Sequence, residues 1–192
     1  IYIGGGTPSI LNPSQIGDLI NVFKDNYGVD YGAEITMEVD PASFTKEDLN
    51  AFIEAGINRF SLGAQSFNNE VLQQAGRRHL EEDVERSCLW LKESYEYGYI
   101  KSWSLDLIQN LPRISFNEWR NVLKKALIFS PPHISVYDLS IEDGTVFKKL
   151  FELKKLSLPN SEESSRNSLL TNSFLKESGY SFKKEFVSKL FL

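Results

Sequence analysis

The sequence predicts an α/β protein built on a parallel sheet, and three observations carry that reading. Short apolar runs of period two alternate with longer runs of helical period. The strand-like runs recur at a spacing of about thirty residues, the length of a βαβ unit. Most helix-like runs open or close on recognisable start and stop residues. Strands joined through helices run parallel, and a parallel sheet must have both faces covered or close into a barrel.

The chain enters at once on Ile1-Tyr2-Ile3, an apolar run that reads as a strand with no methionine or leader ahead of it. Asn12-Pro13-Ser14-Gln15 then marks a helix start: a capping residue, proline at the first helical position and a glutamine able to close the box. Ile16, Leu19, Ile20 and Phe23 keep one apolar stripe, which Gly28 ends with a left-handed stop. Ile35, Met37 and Val39 alternate with Thr36, Glu38 and Asp40 and predict a strand over 34–40. Thr45 with Asp48 opens a helix that ends at Gly56, and Ser115 with Glu118 opens another that ends before Pro131. Strands are predicted at 59–62, 102–108, 133–139 and 180–186, while the serine- and glutamate-rich stretch 157–168 reads as a loop and the exposed start of a helix. No linker divides the chain, so 1–192 reads as one domain. Both ends break off inside an apolar pattern, which predicts a fold truncated at both ends.

Composition narrows the function classes. With 41% hydrophobic and 24% charged residues the chain is an ordinary globular one. A net charge of −5 argues against nucleic acid as a partner, because neutralising phosphates needs clustered Lys and Arg. The pairs Lys124-Lys125 and Lys154-Lys155 read as solvated helix faces. No apolar run approaches the ~20 residues that span a bilayer, and a cytoplasmic protein is the expectation. The single cysteine, Cys88, excludes an internal disulfide and cannot alone hold a cluster or a structural zinc. It lies among Val84, Leu89 and Leu91 on a helical pattern and reads as a packing residue. His79 and His133 lack metal-ligand spacing.

In a parallel β/α protein the chemistry gathers where strands end. Gly4-Gly5-Gly6-Thr7-Pro8-Ser9 follows the first strand; Glu38, Asp40 and Pro41 close the second; Gly63, Gln65 and Ser66 follow the third. The fourth carries Asp106 and the fifth ends in Tyr137, Asp138 and Ser140. Consecutive glycines let a backbone lie flush against a ligand and offer it bare N–H groups. This is neither a Walker A loop nor a spaced dinucleotide fingerprint, and its plain alternative is a tight turn into the Asn12 helix. Asp106 sits within an apolar strand, where an unpaired carboxylate costs several kcal/mol, so it requires either a protein partner or a ligand. Arg77 and Arg78 offer guanidinium groups that pair carboxylates bidentately, or form an exposed pair after a short helix.

These segments, with Met37-Glu38-Val39-Asp40-Pro41, Gly63-Ala64-Gln65-Ser66-Phe67, Gly76-Arg77-Arg78-His79, Ser104-Leu105-Asp106-Leu107-Ile108 and Pro131-Pro132-His133-Ile134-Ser135-Val136-Tyr137-Asp138-Leu139, resemble in order and spacing the radical S-adenosylmethionine (SAM) proteins related to oxygen-independent coproporphyrinogen III oxidase. Segment 131–145 is similar to the version found in the HemW-type heme chaperones. The resemblance implies a parallel (β/α)6 partial TIM-type barrel with SAM across the strand ends. It assigns Gly5, Gly6 and Thr7 to the methionine moiety, Glu38 and Gln65 to polar groups of SAM, Arg77 to its carboxylate and Asp106 to the nucleoside end, with Ser140 completing the set. It further implies a [4Fe–4S] cluster held by three cysteines that would precede Ile1, an electron donor, and a C-terminal domain absent from these residues. Two departures stand out. Gln109-Asn110-Leu111-Pro112-Arg113 replaces a Tyr-Gly-Leu-Pro-Gly-like turn, which bears on the shape of that loop, and 182–192 departs from the family's continuation.

Three functions follow for comparison. One is a chaperone that binds heme and passes it to apo-hemoproteins. Another is an oxidase that converts propionates of coproporphyrinogen III to vinyl groups. The third is a SAM-independent barrel enzyme with a phosphate in the glycine loop, which lacks any Lys or Arg of its own. One thiolate cannot replace the set that a [4Fe–4S] cluster needs. Anaerobic reconstitution of the 192-residue chain should therefore leave iron and sulfide far below one cluster per chain.

Overall fold

The computed structural model describes residues 1–141 and 143–181. The strand expected at 180–186 falls, past Ser181, outside the described residues. The chain begins with β1 (Tyr2–Ile3), a 3₁₀ turn (Pro8–Ile10), α1 (Pro13–Tyr27), β2 (Thr36–Val39), α2 (Lys46–Ala55) and β3 (Arg59–Gln65). It continues through α3 (Asn69–Gln74), α4 (Glu81–Glu96), β4 (Ser102–Gln109), α5 (Phe116–Ile128), β5 (His133–Asp138), α6 (Val146–Glu152) and α7 (Ser161–Glu177). The five strands form one sheet in the order β1-β2-β3-β4-β5. β1 pairs with β2 and β2 with β3 in parallel, with Ile3 opposite Met37 and Glu38 opposite Ser61. This is the strand–helix repeat that the periodicities predict.

The helix boundaries follow from local chemistry. At α1, Ser14 N–H donates to Asn12 Oδ1 at 3.1 Å and Asn12 N–H donates back to Gln15 Oε1 at 2.9 Å. Thr45 and Asp48 close the same reciprocal box at α2, and Asn160 and Glu163 close one at α7. Each cap stabilises its helix by about 1 kcal/mol. Gly56 ends α2 at φ 115°, which a Cβ would resist.

The chain divides into two compact units. The first comprises Ile1–Ala64, Glu82–Asp106 and Phe129–Ile134; the second comprises Gln65–Glu81, Leu107–Ile128 and the described residues from Ser135 onward. In the first, Met37, Val39, Phe60, Leu62, Trp103 and Leu105 are buried, alongside Ile16 and Ile20 of α1 and Leu49 and Phe52 of α2. The alternate strand positions carry Thr36, Glu38, Ser61, Ser104 and Asp106. One face of these strands is thus apolar and the other polar, as a period of two requires.

The second unit is centred on Leu72, Leu107, Leu111, Trp119 and Leu123, all buried, with α5 against α7. A polar network joins its elements. Trp119 Nε1 donates to Thr171 Oγ1 at 2.9 Å, and that hydroxyl lies 3.1 Å from Gln109 Oε1. Gln109 and Asn110 both donate to Asp138 Oδ1, and Asn167 donates to Asn110 Oδ1 at 2.9 Å. The turn that departs from the family pattern keeps left-handed backbone: Asn110 has φ 63° and Arg113 φ 60°, at the positions where the pattern has glycine. Asn tolerates that conformation well, and its side chain is anchored at both ends.

Some expectations need correcting. β3 runs on to Gln65, so Gly63 and Gln65 lie in the strand and not after it, and α6 was not anticipated. Cys88 is buried in α4 as expected, with Val84 and Leu91, but Leu89 is 56% exposed. Its position one residue past Cys88 turns it by a quarter of a circle or more, off the stripe. Leu91→Ala should accordingly lower stability by about 2–5 kcal/mol. Leu89→Ala should stay within about 0.5 kcal/mol of the parent. Urea unfolding midpoints compare the two.

Candidate functional site

In the first unit the glycine loop is organised by one carboxylate. Gly5 N–H donates to Glu38 Oε2 at 3.1 Å, and Tyr2 OH donates to Oε1 at 2.7 Å. Gly5 and Gly6 have φ 89° and 60°, and a Cβ built on either would meet nothing within 4 Å. The loop therefore turns through left-handed backbone that favours glycine, with its peptide groups uncovered. A Cβ on Gly4, in contrast, would lie 2.8 Å from the Tyr2 ring and 3.0 Å from the Glu38 carboxyl. Thr7 is half-buried and accepts Ile10 N–H through its carbonyl at 3.1 Å, which starts the 3₁₀ turn. Ser9 is buried, takes Asp40 N–H at 3.1 Å and pairs with Ser43.

Two serines are among the partners that Asp106 requires. Ser61 Oγ donates to Oδ2 at 2.5 Å and Ser104 Oγ to Oδ1 at 3.3 Å, with the two hydroxyls 2.9 Å apart. Asp106 is 9% exposed. The register sets Glu38 opposite Ser61, the residue that donates to Asp106. Tyr2, Ser61 and Ser104 were not singled out from the sequence as site residues. The available signal was position, because Ser104 precedes Asp106 by two on the same strand face.

The second unit holds Gln65, Arg77 and Ser140. Gln65, at the end of β3, has φ 65° and is 4% exposed, and its Oε1 is buried without a hydrogen-bond partner among the described residues. A buried acceptor left unmet costs about 1–3 kcal/mol, which marks it as a group awaiting a donor. Arg77 is half-buried after α3, whereas Arg78 is exposed. Ser140 is exposed, two residues beyond β5. Asp138 at the end of that strand is clamped through Oδ1 by the Gln109 and Asn110 amides at 2.9 and 2.6 Å.

The chain also compares closely with known proteins. Residues 1–126 match the family model described as the radical SAM superfamily. The chain belongs to this superfamily. It is 37% identical over 164 residues to the heme chaperone HemW of Synechocystis, covering 85% of this chain and 39% of that protein. It is 32% identical over 182 residues to the oxygen-independent coproporphyrinogen III oxidase of Escherichia coli, covering 95% of this chain and 39% of the oxidase. The solved structure of E. coli coproporphyrinogen III oxidase (HemN), described as a radical SAM enzyme, superposes with a TM-score of 0.80 at 30% identity, over 94% of this chain and 41% of that one. The chain spans about two fifths of the length of these relatives. The radical SAM fold is therefore present in part.

The donor set of the first unit fits one of the two cofactors that the superfamily implies. Glycine peptides with no side chain over them and two carboxylates suit SAM, a molecule with an ammonium group, a carboxylate and ribose hydroxyls. The iron–sulfur cluster is not matched by these residues. Burial pushes the Cys88 thiol up, assisted by Glu85, and opposes the thiolate that iron needs. Among the described residues no group of three His, Cys, Asp or Glu could hold a metal ion.

The Gly4 geometry makes a double-mutant prediction. Gly4→Ala should destabilise the chain by about 1 kcal/mol or more through overpacking against Tyr2. In a Tyr2→Ala background most of that cost should disappear, because the ring it strikes is gone. Urea unfolding of the four proteins measures the coupling.

Proposed function

We propose that this chain forms the SAM-binding part of a heme-handling protein of the HemW type. The contact between Glu38 and the Gly5 N–H is the observation that carries the SAM reading. It orders the glycine loop before any ligand arrives, so binding does not have to meet that entropy cost. In this reading Gly5, Gly6 and Thr7 receive the methionine end, Glu38 and Gln65 take polar hydrogens of SAM, Arg77 pairs its carboxylate, Asp106 accepts from the nucleoside and Ser140 closes the set. SAM supplies the radical chemistry for which the superfamily is named; these residues bind it, orient it and exclude water. The serine pair keeps Asp106 turned towards the polar face, and the glycine backbone admits the ligand where a side chain would obstruct it.

Heme as the cargo rests on the greater identity to the HemW chaperone and on segment 131–145, which follows the chaperone pattern. The oxidase is the second reading, and the superposition on HemN supports it. Fold and cofactor do not choose between them. Both readings take a porphyrin-type partner and an electron donor, and both place the protein in the cytoplasm. Among the described residues no helix is long and apolar enough to cross a membrane.

Glu38→Ala and Asp106→Ala should each weaken SAM binding by about 1–3 kcal/mol, with a smaller loss of stability. Calorimetric SAM titration beside thermal unfolding separates the two, and normal binding with early melting would make both groups structural. For the cargo, this chain can replace the matching portion of Synechocystis HemW. The chimera should bind heme and pass it to an apo-hemoprotein while leaving coproporphyrinogen III unchanged under anaerobic, reducing conditions with SAM. Loss of carboxyl groups from the porphyrinogen, read by mass, would establish the oxidase instead.

A further inference from the structure

The second unit contains a cavity of about 290 Å³ that none of the proposed SAM residues lines. Its walls include Arg113, Ile114, Phe116, Leu158, Pro159 and Arg166. Neither guanidinium has an ion pair or hydrogen bond among the described residues. Arg166 is nevertheless held in place, since its Cζ lies 4.2 Å from the centroid of the Phe116 ring. A guanidinium stacked on its face keeps its N–H edge free for an oxyanion. Arg113 is exposed and lies in left-handed backbone, at φ 60°. A long side chain in left-handed backbone costs energy that glycine would not incur, and such residues concentrate where a ligand uses them. The departure from the family's turn thus supplies one of the two charges facing the cavity.

Two carboxylates of these segments serve as helix caps and keep their negative charge there. Glu163, which also lines the cavity, accepts Asn160 N–H through Oε2 at 2.8 Å. Glu118 is drawn to Ser115, whose N–H donates to Oε2 at 2.7 Å. These boxes also occupy the starts of α7 and α5, so the helix ends contribute little and the arginines carry the recognition. Ile114, Phe116, Leu158 and Pro159 are apolar, which suits a ligand body without further charge.

We propose that this cavity binds a phosphate or carboxylate group carried on an apolar body, gripped between Arg113 and Arg166. The proposal is independent of the SAM reading, because it shares no residue with it. The test titrates the 192-residue chain with phenyl phosphate and with benzoate, which separate the two oxyanions, and with benzyl alcohol as the uncharged control. One of the aryl anions should bind saturably in the millimolar range or tighter, and the alcohol should not bind. Arg113→Gly and Arg166→Gln should each weaken that binding by at least about tenfold, the loss expected for a charge-assisted contact. Arg113→Gly should melt no earlier than the parent, because glycine accepts φ 60° freely, so its loss of binding cannot be attributed to unfolding. Absence of saturable binding by either anion, or binding that survives Arg113→Gly, would overturn the proposal.

Discussion

The carboxylate of Glu38 closes on the Gly5 N–H and the Tyr2 hydroxyl, and the form of the first unit's polar edge depends on that contact. A run of three glycines has more backbone freedom to lose than any other tripeptide, so it needs an anchor to hold one shape. The anchor arrives from the neighbouring parallel strand, in register. Gly4 must lack a side chain for Tyr2 and Glu38 to approach so closely. Gly5 and Gly6 must lack one for a different reason, the left-handed backbone. Replacing any member would disturb the others.

Asp106 is solved by a different device. Its carboxylate is met by Ser61 and Ser104 hydroxyls from the same strand face. Hydroxyl donors stabilise the charged form while adding no charge of their own.

The second unit solves the same problem without glycine. At Asn110 a residue that tolerates left-handed backbone is fixed by Asp138 and Asn167, and Trp119, Thr171 and Gln109 extend the network into α5 and α7. Buried polar groups linked in this way are costly if one partner is missing and rigid if none is. The loop therefore holds left-handed backbone at Asn110 and Arg113 while carrying side chains that a glycine turn would not have.

Much of this was legible in the amino-acid sequence. The five strands and the boundaries at Asn12, Gly28, Thr45 and Gly56 could be read because period, capping and stop residues act within a few positions of one another. Asp106 could be marked as needing a partner, and the strand ends as the place for chemistry. The identity of that partner could not be read. Ser61 lies on another strand, and the register that brings it to Asp106 is a property of the paired sheet. Likewise, the phase of Leu89 on α4 and the stacking of Arg166 on Phe116 depend on which helix face is covered. The sequence by itself determined the repeat, the helix ends and the residue types of the site, because those are local. Tertiary structure alone decided that Glu38 holds the glycine loop and that Arg113 and Arg166 share a cavity, because each joins groups that the chain separates and only packing brings together.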